Sequence, residues 1–123
     1  MLAVVADYPI AAGLIGGLLA APFGLIDWLA IPRGTRAKSL GALHAGGNVI
    51  VLSLFALSWC LRRDAPKAPS WLAHALVFIG VTLALVTAWM GGELVDRLGV
   101  GVSDDANLDA PSSLRRRQGQ PVS

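Results

Sequence analysis

The stretch SLGALHAGGNVIVLSLFALSWCL, residues 39–61, carries no formal charge. A helix rises about 1.5 Å per residue, so about 20 predominantly apolar residues cross the hydrocarbon core of a bilayer. Residues 70–92 form a second uncharged run of this length, and residues 8–31 form a third that contains one charge, Asp27. These three runs predict three transmembrane helices.

The composition also indicates a membrane protein. Of the 123 residues, 54% are hydrophobic and only 15% are charged, and the mean hydropathy is +0.62. Soluble domains carry about 25% charged residues. A soluble enzyme and a disordered chain are therefore excluded as leading interpretations. A disulfide-rich secreted domain is excluded because Cys60 is the only cysteine.

Prolines and charged residues set the expected helix ends. The first helix is predicted over residues 9–31, with Pro9 in its first turn and a kink at Pro22. The second helix is predicted over residues 37–61. The connections are short, so we expect neighbouring helices to be antiparallel.

The third helix is expected to begin after Ser70, a suitable N-cap, and to continue to about residue 97, before Gly99. Residues 1–102 then form an all-α transmembrane domain of three helices. Residues 103–123 form a polar tail that is expected to be disordered on its own.

Lysine and arginine are distributed unequally between the two ends of the bundle. One end carries seven of them: Arg33, Arg36, Lys38, Arg97, Arg115, Arg116 and Arg117. The other carries three: Arg62, Arg63 and Lys67. Because positive residues favour the cytoplasmic side, we predict a multi-pass protein of the bacterial inner membrane, with the N-terminus outside and the C-terminus in the cytoplasm.

Ionisable residues inside spanning helices are costly and are usually paired or functional. Counting the helical rise places Asp27, His44 and Glu93 at similar depth on three different helices. Asn48 lies one turn from His44 and shares its face. These residues predict an intramembrane polar cluster. Its favoured role is a structural network between the helices, and the alternative is proton transfer or ligand binding.

Small residues recur every four positions along the first helix and form two stripes on adjacent faces. The stripes consist of Gly13, Gly17 and Ala21, and of Gly16, Ala20 and Gly24. Small residues let helix backbones approach closely in lipid. Packing within the bundle is the favoured explanation, and docking to another subunit is the alternative.

The two histidines allow a haem site to be considered. His44 and His74 are separated by roughly 15 Å along the membrane normal, so one haem cannot bridge them. His44 and Met90 form a feasible axial pair for haem b, although Met more often fills space in a helix interface. A quinone site between the helices is a further alternative, for which the sequence offers no specific residue. No cofactor other than surrounding lipid is therefore predicted.

Three segments resemble the domain of unknown function twenty-two thirty-one family of small bacterial membrane proteins. They are GLIDWLAIP at residues 24–32, GALHAGGN at residues 41–48 and WMGGELVDRLGVGV at residues 89–102. The resemblance covers about residues 10–110. It implies a membrane bundle, typically of four helices, and some relatives are joined to Rieske-type iron–sulfur domains.

The resemblance also implies recurrent positions at Asp27, His44, Asn48, Glu93 and Arg97, so Arg97 joins the predicted cluster. The chain departs from the family pattern in two places. The usual opening helix with His-Pro and His-Phe-Pro motifs is absent from these residues, and Leu98 stands where relatives often carry His.

Together these features predict a non-catalytic accessory subunit of a larger bacterial membrane complex, respiratory or photosynthetic and concerned with electron transfer. The expected partners are membrane lipid and other membrane subunits, with no nucleic acid. The alternative is a haem-binding or proton-relay redox protein in which His44 acts between Asp27 and Glu93.

Overall fold

The computed structural model describes residues 2–63, 68–110 and 112, with side chains described from Val5 onward. It contains three long helices, α1 (Leu2–Ala30), α2 (Arg36–Arg63) and α3 (Trp71–Gly92), and a π-helix (Glu93–Arg97) that continues α3. Each long helix is sufficiently long and apolar to cross a membrane. The prediction of an all-α bundle with three spanning helices is confirmed.

The start of α1 differs from the prediction. The helix begins at Leu2 rather than at Pro9, and both Pro9 and Pro22 lie in its interior. Residues 2–8 contain neither proline nor glycine, so nothing in them stops the helix. A proline within a helix removes one backbone hydrogen bond, and at Pro9 this loss does not end α1.

The ends of α3 agree with the prediction. Ser70 is the N-cap, and its hydroxyl accepts a hydrogen bond from the Ala73 N–H at 3.3 Å. The helical segment ends at the π-helix, after which Gly99 has a φ of +65° and its N–H donates to the Val95 carbonyl at 3.1 Å. The positive φ explains the glycine at this position.

α2 is the central helix of the bundle. It packs against both α1 and α3, whereas the described residues of α1 and α3 do not pack against each other. At about 100° per residue, the α2 positions that meet α1 and those that meet α3 point roughly 80° apart. Because packed helix axes lie about 9 Å apart, the α1 and α3 axes are then roughly 12 Å apart. The two helices are therefore separated along α2, and we call the groove between them the α1–α3 cleft.

A clasp between Trp28 and Lys38 holds α1 against α2. The Trp28 indole N–H donates to the Lys38 carbonyl at 3.0 Å, and the Lys38 ammonium donates to the Trp28 carbonyl at 2.6 Å. The same ammonium lies 3.8 Å from the centroid of the indole ring. Gly41 leaves room for the ring, since a Cβ there would lie 2.8 Å from Trp28 Cδ1.

At the opposite end of the bundle, polar side chains hold α2 against α3. The buried Ser58 hydroxyl donates to the Ala73 carbonyl at 2.7 Å, and Arg62 Nε donates to the same hydroxyl at 3.4 Å. Elsewhere large apolar side chains face outward, such as Leu19 and Phe78. Such an extensive apolar surface indicates that lipid surrounds the bundle.

The described tail residues, 103–110 and 112, are exposed and contain short turns. Three arginines that were counted in the orientation prediction lie outside the described residues: Arg115, Arg116 and Arg117.

Candidate functional site

Three polar side chains join α2 to α3, and we call them the His44 network. His44 Nδ1 lies 2.8 Å from the Thr87 carbonyl oxygen, and His44 Nε2 lies 3.0 Å from Asn48 Nδ2. The Thr87 hydroxyl lies 3.0 Å from Asn48 Oδ1 and 3.0 Å from the Ala84 carbonyl. The side chains of one turn of α2 thus bond to a single residue of α3.

The partners determine where the protons of the His44 network lie. A carbonyl oxygen only accepts, so His44 Nδ1 carries a proton and donates to Thr87. The Asn48 amide nitrogen then donates to His44 Nε2, and the Thr87 hydroxyl donates to the Asn48 amide oxygen. This assignment follows from the hydrogen-bond partners. It satisfies both ring nitrogens of a neutral His44.

Two glycines bring the helices close enough for these bonds. A Cβ on Gly47 of α2 would lie 2.5 Å from Thr87 Cγ2, and a Cβ on Gly91 of α3 would lie 3.2 Å from His44 Cε1. Each helix therefore contributes a glycine opposite a polar side chain of the other. The His44 network and the close approach of α2 to α3 therefore depend on the same four residues, which are His44, Gly47, Thr87 and Gly91.

Glu93 forms a second polar cluster at the end of the bundle that contains the α1–α2 connection and the π-helix, which we call the Arg36 end. Glu93 Oε1 lies 2.7 Å from Arg36 Nη2, and Glu93 Oε2 lies 3.9 Å from Arg97 Nε. The Glu93 side chain is only 17% exposed, whereas the Arg36 and Arg97 side chains are 61% and 78% exposed. Because both cations are open to solvent, these pairs contribute little to stability.

Asp27 belongs to neither cluster. It is exposed on α1, and within the described part of the chain no hydrogen bond or ion pair reaches its carboxylate. It lines a groove of about 550 Å³ at the Arg36 end. The walls of this Asp27 groove are the last turn of α1, the start of α2 with Arg36, and residues 98–101.

The five residues of the predicted cluster are therefore divided among three places. The structure brings His44 to Asn48, and Glu93 to Arg97, but it leaves Asp27 apart from both pairs. Helical rise fixes the position of each residue along the membrane normal, but not the direction in which its side chain points around the helix axis. Asp27 is separated from His44 because α1 packs on a different face of α2 from α3.

Two functional neighbours were missed from the sequence. Thr87 is 3% exposed and completes the His44 network, yet it is not ionisable and was not considered. Arg36 pairs with Glu93, although its charge was used only to predict orientation. A search for polar residues of any kind at the depth of His44 would have found Thr87.

Most of the small-residue positions of α1 face open space. A Cβ on Gly17 would lie 2.6 Å from Leu52 Cδ2 of α2, whereas one on Gly13, Gly16 or Gly24 would meet no described atom within 4 Å. Ala20 and Ala21 are exposed. Within the described chain, one stripe position packs against α2.

The arrangement around His44 does not fit an axial haem ligand. Such a ligand needs a ring nitrogen whose lone pair points at the iron. Nδ1 donates to Thr87, and the lone pair of Nε2 accepts from Asn48. His44 and Met90 therefore do not form a haem site in this conformation. The described residues contain no group of three or more His, Cys, Asp or Glu that could hold a metal ion.

Histidine and tryptophan side chains lie near several of the helix ends. His74 Nδ1 lies 2.9 Å from the Ser70 carbonyl in an exposed position, and Trp71 and Trp89 are exposed. The Arg63 guanidinium lies 4.0 Å from the centroid of the Trp59 ring. These positions are typical of an aromatic belt at the membrane surface.

Comparison with known proteins identifies the family. A family model described as "Predicted membrane protein (DUF2231)" matches residues 1–104, which include the His44 network, the Glu93 cluster and the Asp27 groove. No curated protein and no solved structure matches the chain. The resemblance stated from the sequence is confirmed, and the chain belongs to the DUF2231 family of predicted membrane proteins.

Proposed function

We propose that this protein is a non-catalytic accessory subunit of a larger complex in the bacterial inner membrane, and that α1 contacts its partner. The observation that carries the proposal is the isolation of α1 within the chain. Among the described elements α1 packs against α2 alone, and no residue in its most apolar stretch is buried within the bundle. A spanning helix with one helical neighbour has most of its surface free for another subunit.

The outward positions of α1 are suited to a helix partner. Gly13, Gly16 and Gly24 leave shallow places on the helix surface, between larger side chains such as Leu19 and Phe23. Helices in lipid associate mainly through close packing at small residues. The exposed glycines therefore support docking to another subunit, the alternative left open by the sequence.

The two polar clusters support a structural role for the rest of the chain. The His44 network satisfies its own donors and acceptors, and the Glu93 carboxylate is paired with two arginines. The electron-transfer setting of the complex rests on the resemblance to relatives that carry Rieske-type domains. The proposed orientation, with the Arg36 end in the cytoplasm, rests on the lysine and arginine distribution.

The experiment compares Gly16→Ile with Gly46→Ile in the full chain in its native membrane. A Cβ at either glycine meets no described atom within 4 Å, but Gly16 lies on α1 and Gly46 on α2. After gentle detergent extraction, we expect the wild type and Gly46→Ile to migrate with a larger complex and Gly16→Ile to be depleted from it. Equal behaviour of the two variants, or a wild-type chain without any partner, would contradict the proposal.

A second candidate function, proton handling by His44, is supported by one property of the network. If His44 takes up a proton, the Asn48 amide can turn over so that its oxygen accepts from Nε2–H. The Thr87 hydroxyl then accepts from the Asn48 amide nitrogen and donates to the Ala84 carbonyl, which lies 3.0 Å away. Every partner stays hydrogen-bonded in both protonation states.

The relay version with Asp27 and Glu93 has less support, because neither carboxylate bonds to the His44 network. Nitrogen NMR of His44 in lipid tests the second candidate. A ring that keeps one neutral tautomer from about pH 5 to 8 favours the structural role, and a reversible change to the doubly protonated ring favours proton handling.

A further inference from the structure

We propose that the Asp27 groove binds the headgroup of a phosphatidylethanolamine molecule whose acyl chains lie in the α1–α3 cleft. The proposal concerns a lipid ligand and does not depend on a partner subunit. It rests on the carboxylate of Asp27, the guanidinium of Arg36 and the open space between two spanning helices.

The carboxylate of Asp27 needs a hydrogen-bond donor that the described chain does not provide. Asp27 lies three residues before the end of α1, which is about 4.5 Å along the helix axis and therefore near the headgroup level. A carboxylate at the edge of the hydrocarbon core is costly unless it is paired or hydrated. A primary ammonium offers it up to three N–H donors and a positive charge.

Arg36 lines the same groove and suits a phosphodiester. Its hydrogen bond to Glu93 uses Nη2, and the guanidinium carries five N–H groups in a planar fork. The remaining donors are accessible, since the side chain is 61% exposed. Glu93 therefore orients Arg36 while leaving donors for the phosphate, whose charge is opposite to that of the arginine.

The backbone on the far side of the groove leaves room for a ligand. Gly99 and Gly101 have φ values of +65° and +77°, and no described atom lies within 4 Å of a Cβ built on either. These glycines turn the chain after the π-helix so that residues 98–101 face the last turn of α1. The groove has a volume of about 550 Å³ and is open to its surroundings.

The cleft explains why the ligand is a lipid. The described residues of α1 and α3 do not pack against each other, so lipid can reach the groove between these two spanning helices. Apolar side chains of both helices are exposed to the surroundings, for example Leu25 of α1 and Val86 of α3. An acyl chain in this space covers apolar surface on both helices while its headgroup reaches Asp27 and Arg36.

Charge complementarity selects among the common phospholipids. Phosphatidylglycerol offers a phosphate to Arg36 but brings no cation to Asp27. Phosphatidylcholine brings a cation whose methyl groups replace every N–H donor. Phosphatidylethanolamine alone of the three offers both an ammonium with N–H donors and a phosphate.

The test is competition among lipids of identical acyl chains on the full-length protein in detergent, with bound lipid measured by native mass spectrometry. We expect the wild type to retain phosphatidylethanolamine about tenfold more than phosphatidylcholine, as one charge-assisted hydrogen bond allows. Asp27→Asn should bring this ratio close to one. Asp96→Asn, which removes an exposed carboxylate outside the groove, should leave the ratio unchanged.

A second variant and a second ligand series keep the test decisive if Asp27→Asn fails to fold. Ala30→Trp places a large ring at the wall of the groove and should reduce retention of every phospholipid. Stepwise methylation of the ethanolamine nitrogen should lower retention by the wild type progressively. Equal retention of the methylated lipids, preference for phosphatidylglycerol, or an unchanged ratio in a folded Asp27→Asn variant would overturn the proposal.

Discussion

The hydroxyl group of Thr87 completes the His44 network, because it donates to the Asn48 amide oxygen at 3.0 Å. Without this hydroxyl, the Asn48 amide oxygen would have no hydrogen-bond partner in the His44 network, between two packed helices. An unpaired polar atom in such a position costs free energy because water does not reach it. A single hydroxyl therefore decides whether the Asn48 and His44 side chains are both satisfied.

Replacing Thr87 with Val removes the hydroxyl and keeps the shape of the side chain. We expect the free energy of unfolding to fall by about 1 kcal/mol, which is within the range measured for hydrogen bonds between membrane helices. Chemical or thermal unfolding in detergent micelles measures this change.

Thr82→Val is the matched control. The Thr82 hydroxyl donates only to the Phe78 carbonyl of its own helix, and it is exposed. We expect its loss to change the free energy of unfolding by less than about 0.5 kcal/mol. Equal effects at the two positions would show that the His44 network adds nothing to α2–α3 association.

At single positions, the sequence identified the chemistry but not the neighbours. Asp27, His44 and Glu93 were recognisable because charged or ionisable groups are rare in apolar runs. Whether they meet depends on the angle at which α1 packs against α2, which is set by Trp28, Gly41 and Leu52. The helical rise per residue gives the depth of each side chain in the membrane, but it does not give this packing angle.

At the scale of helices, the α2–α3 pair is held by close approach. Gly47 faces Thr87, and Gly80 of α3 faces Phe55, since a Cβ on Gly80 would lie 3.3 Å from Phe55 Cε2. The adjacent Gly46 faces no described atom within 4 Å. The adjacent residues Gly46 and Gly47 thus have different roles, because the helix directs them to different sides of α2.

The substitution Gly47→Ala tests this packing. A Cβ would meet Thr87 Cγ2 at 2.5 Å, so α2 and α3 must move apart or Thr87 must change rotamer. We expect a loss of about 1–3 kcal/mol in the free energy of unfolding. Unfolding in detergent micelles measures it, together with loss of the His44 Nδ1–H signal in NMR spectra.

Gly46→Ala is the control, and its expected effect has the opposite sign. Alanine is favoured over glycine within a helix by about 1 kcal/mol, and the site has room for the methyl group. The packing argument fails if Gly47→Ala is tolerated as well as Gly46→Ala.

The π-helix is an element that the composition did not indicate. The sequence predicted a helix that continues to residue 97, and a helical segment does reach Arg97. The Leu98 N–H bonds to the Glu93 carbonyl at 3.1 Å, so the turn contains one more residue than an α-helical turn. Such a change of hydrogen-bond register does not alter the pattern of apolar residues, so the sequence did not predict the π-helix. π-helical turns frequently lie at functional sites, and this one begins at Glu93, which accepts a hydrogen bond from Arg36.

For the whole molecule, the weakest association is that of α1 with the other two helices. Its contact with α2 depends on the Trp28–Lys38 clasp at one end and on the packing of Gly17 against Leu52 farther along the helix. α3 adds nothing to this contact, since it does not pack against α1. α1 is therefore the helix that can separate from the α2–α3 pair.

Replacing Trp28 with Ala removes the cation–π contact and the indole hydrogen bond of the clasp. We expect a loss of about 1 kcal/mol in α1–α2 association, or about fivefold in the docked population. Disulfide formation between cysteines placed at Gly17 and Leu52, with Cys60 replaced by Ser, reports on docking in membranes.

The control for this measurement is Trp71→Ala. Trp71 is 80% exposed and contacts no other helix through a hydrogen bond or cation–π pair in the described structure. Its removal should leave the yield of crosslinked protein unchanged. If Trp28→Ala also leaves the yield unchanged, the clasp does not determine the position of α1.

The sequence by itself determined that the protein has three helices long and apolar enough to cross a membrane, because length and hydropathy are properties of each segment's own composition. It also determined the approximate helix ends, through Ser70, Gly99 and the charged residues around them, because capping and chain breaking are local effects. The early start of α1 was the exception, since an internal proline does not always end a helix.

The tertiary structure alone decided which polar residues are neighbours. Thr87 joins His44, Arg36 joins Glu93, and Asp27 faces a groove, because α1 and α3 occupy different sides of α2. Contacts between helices depend on packing angles that arise from many side chains at once, whereas crossing the membrane depends on the composition of each segment.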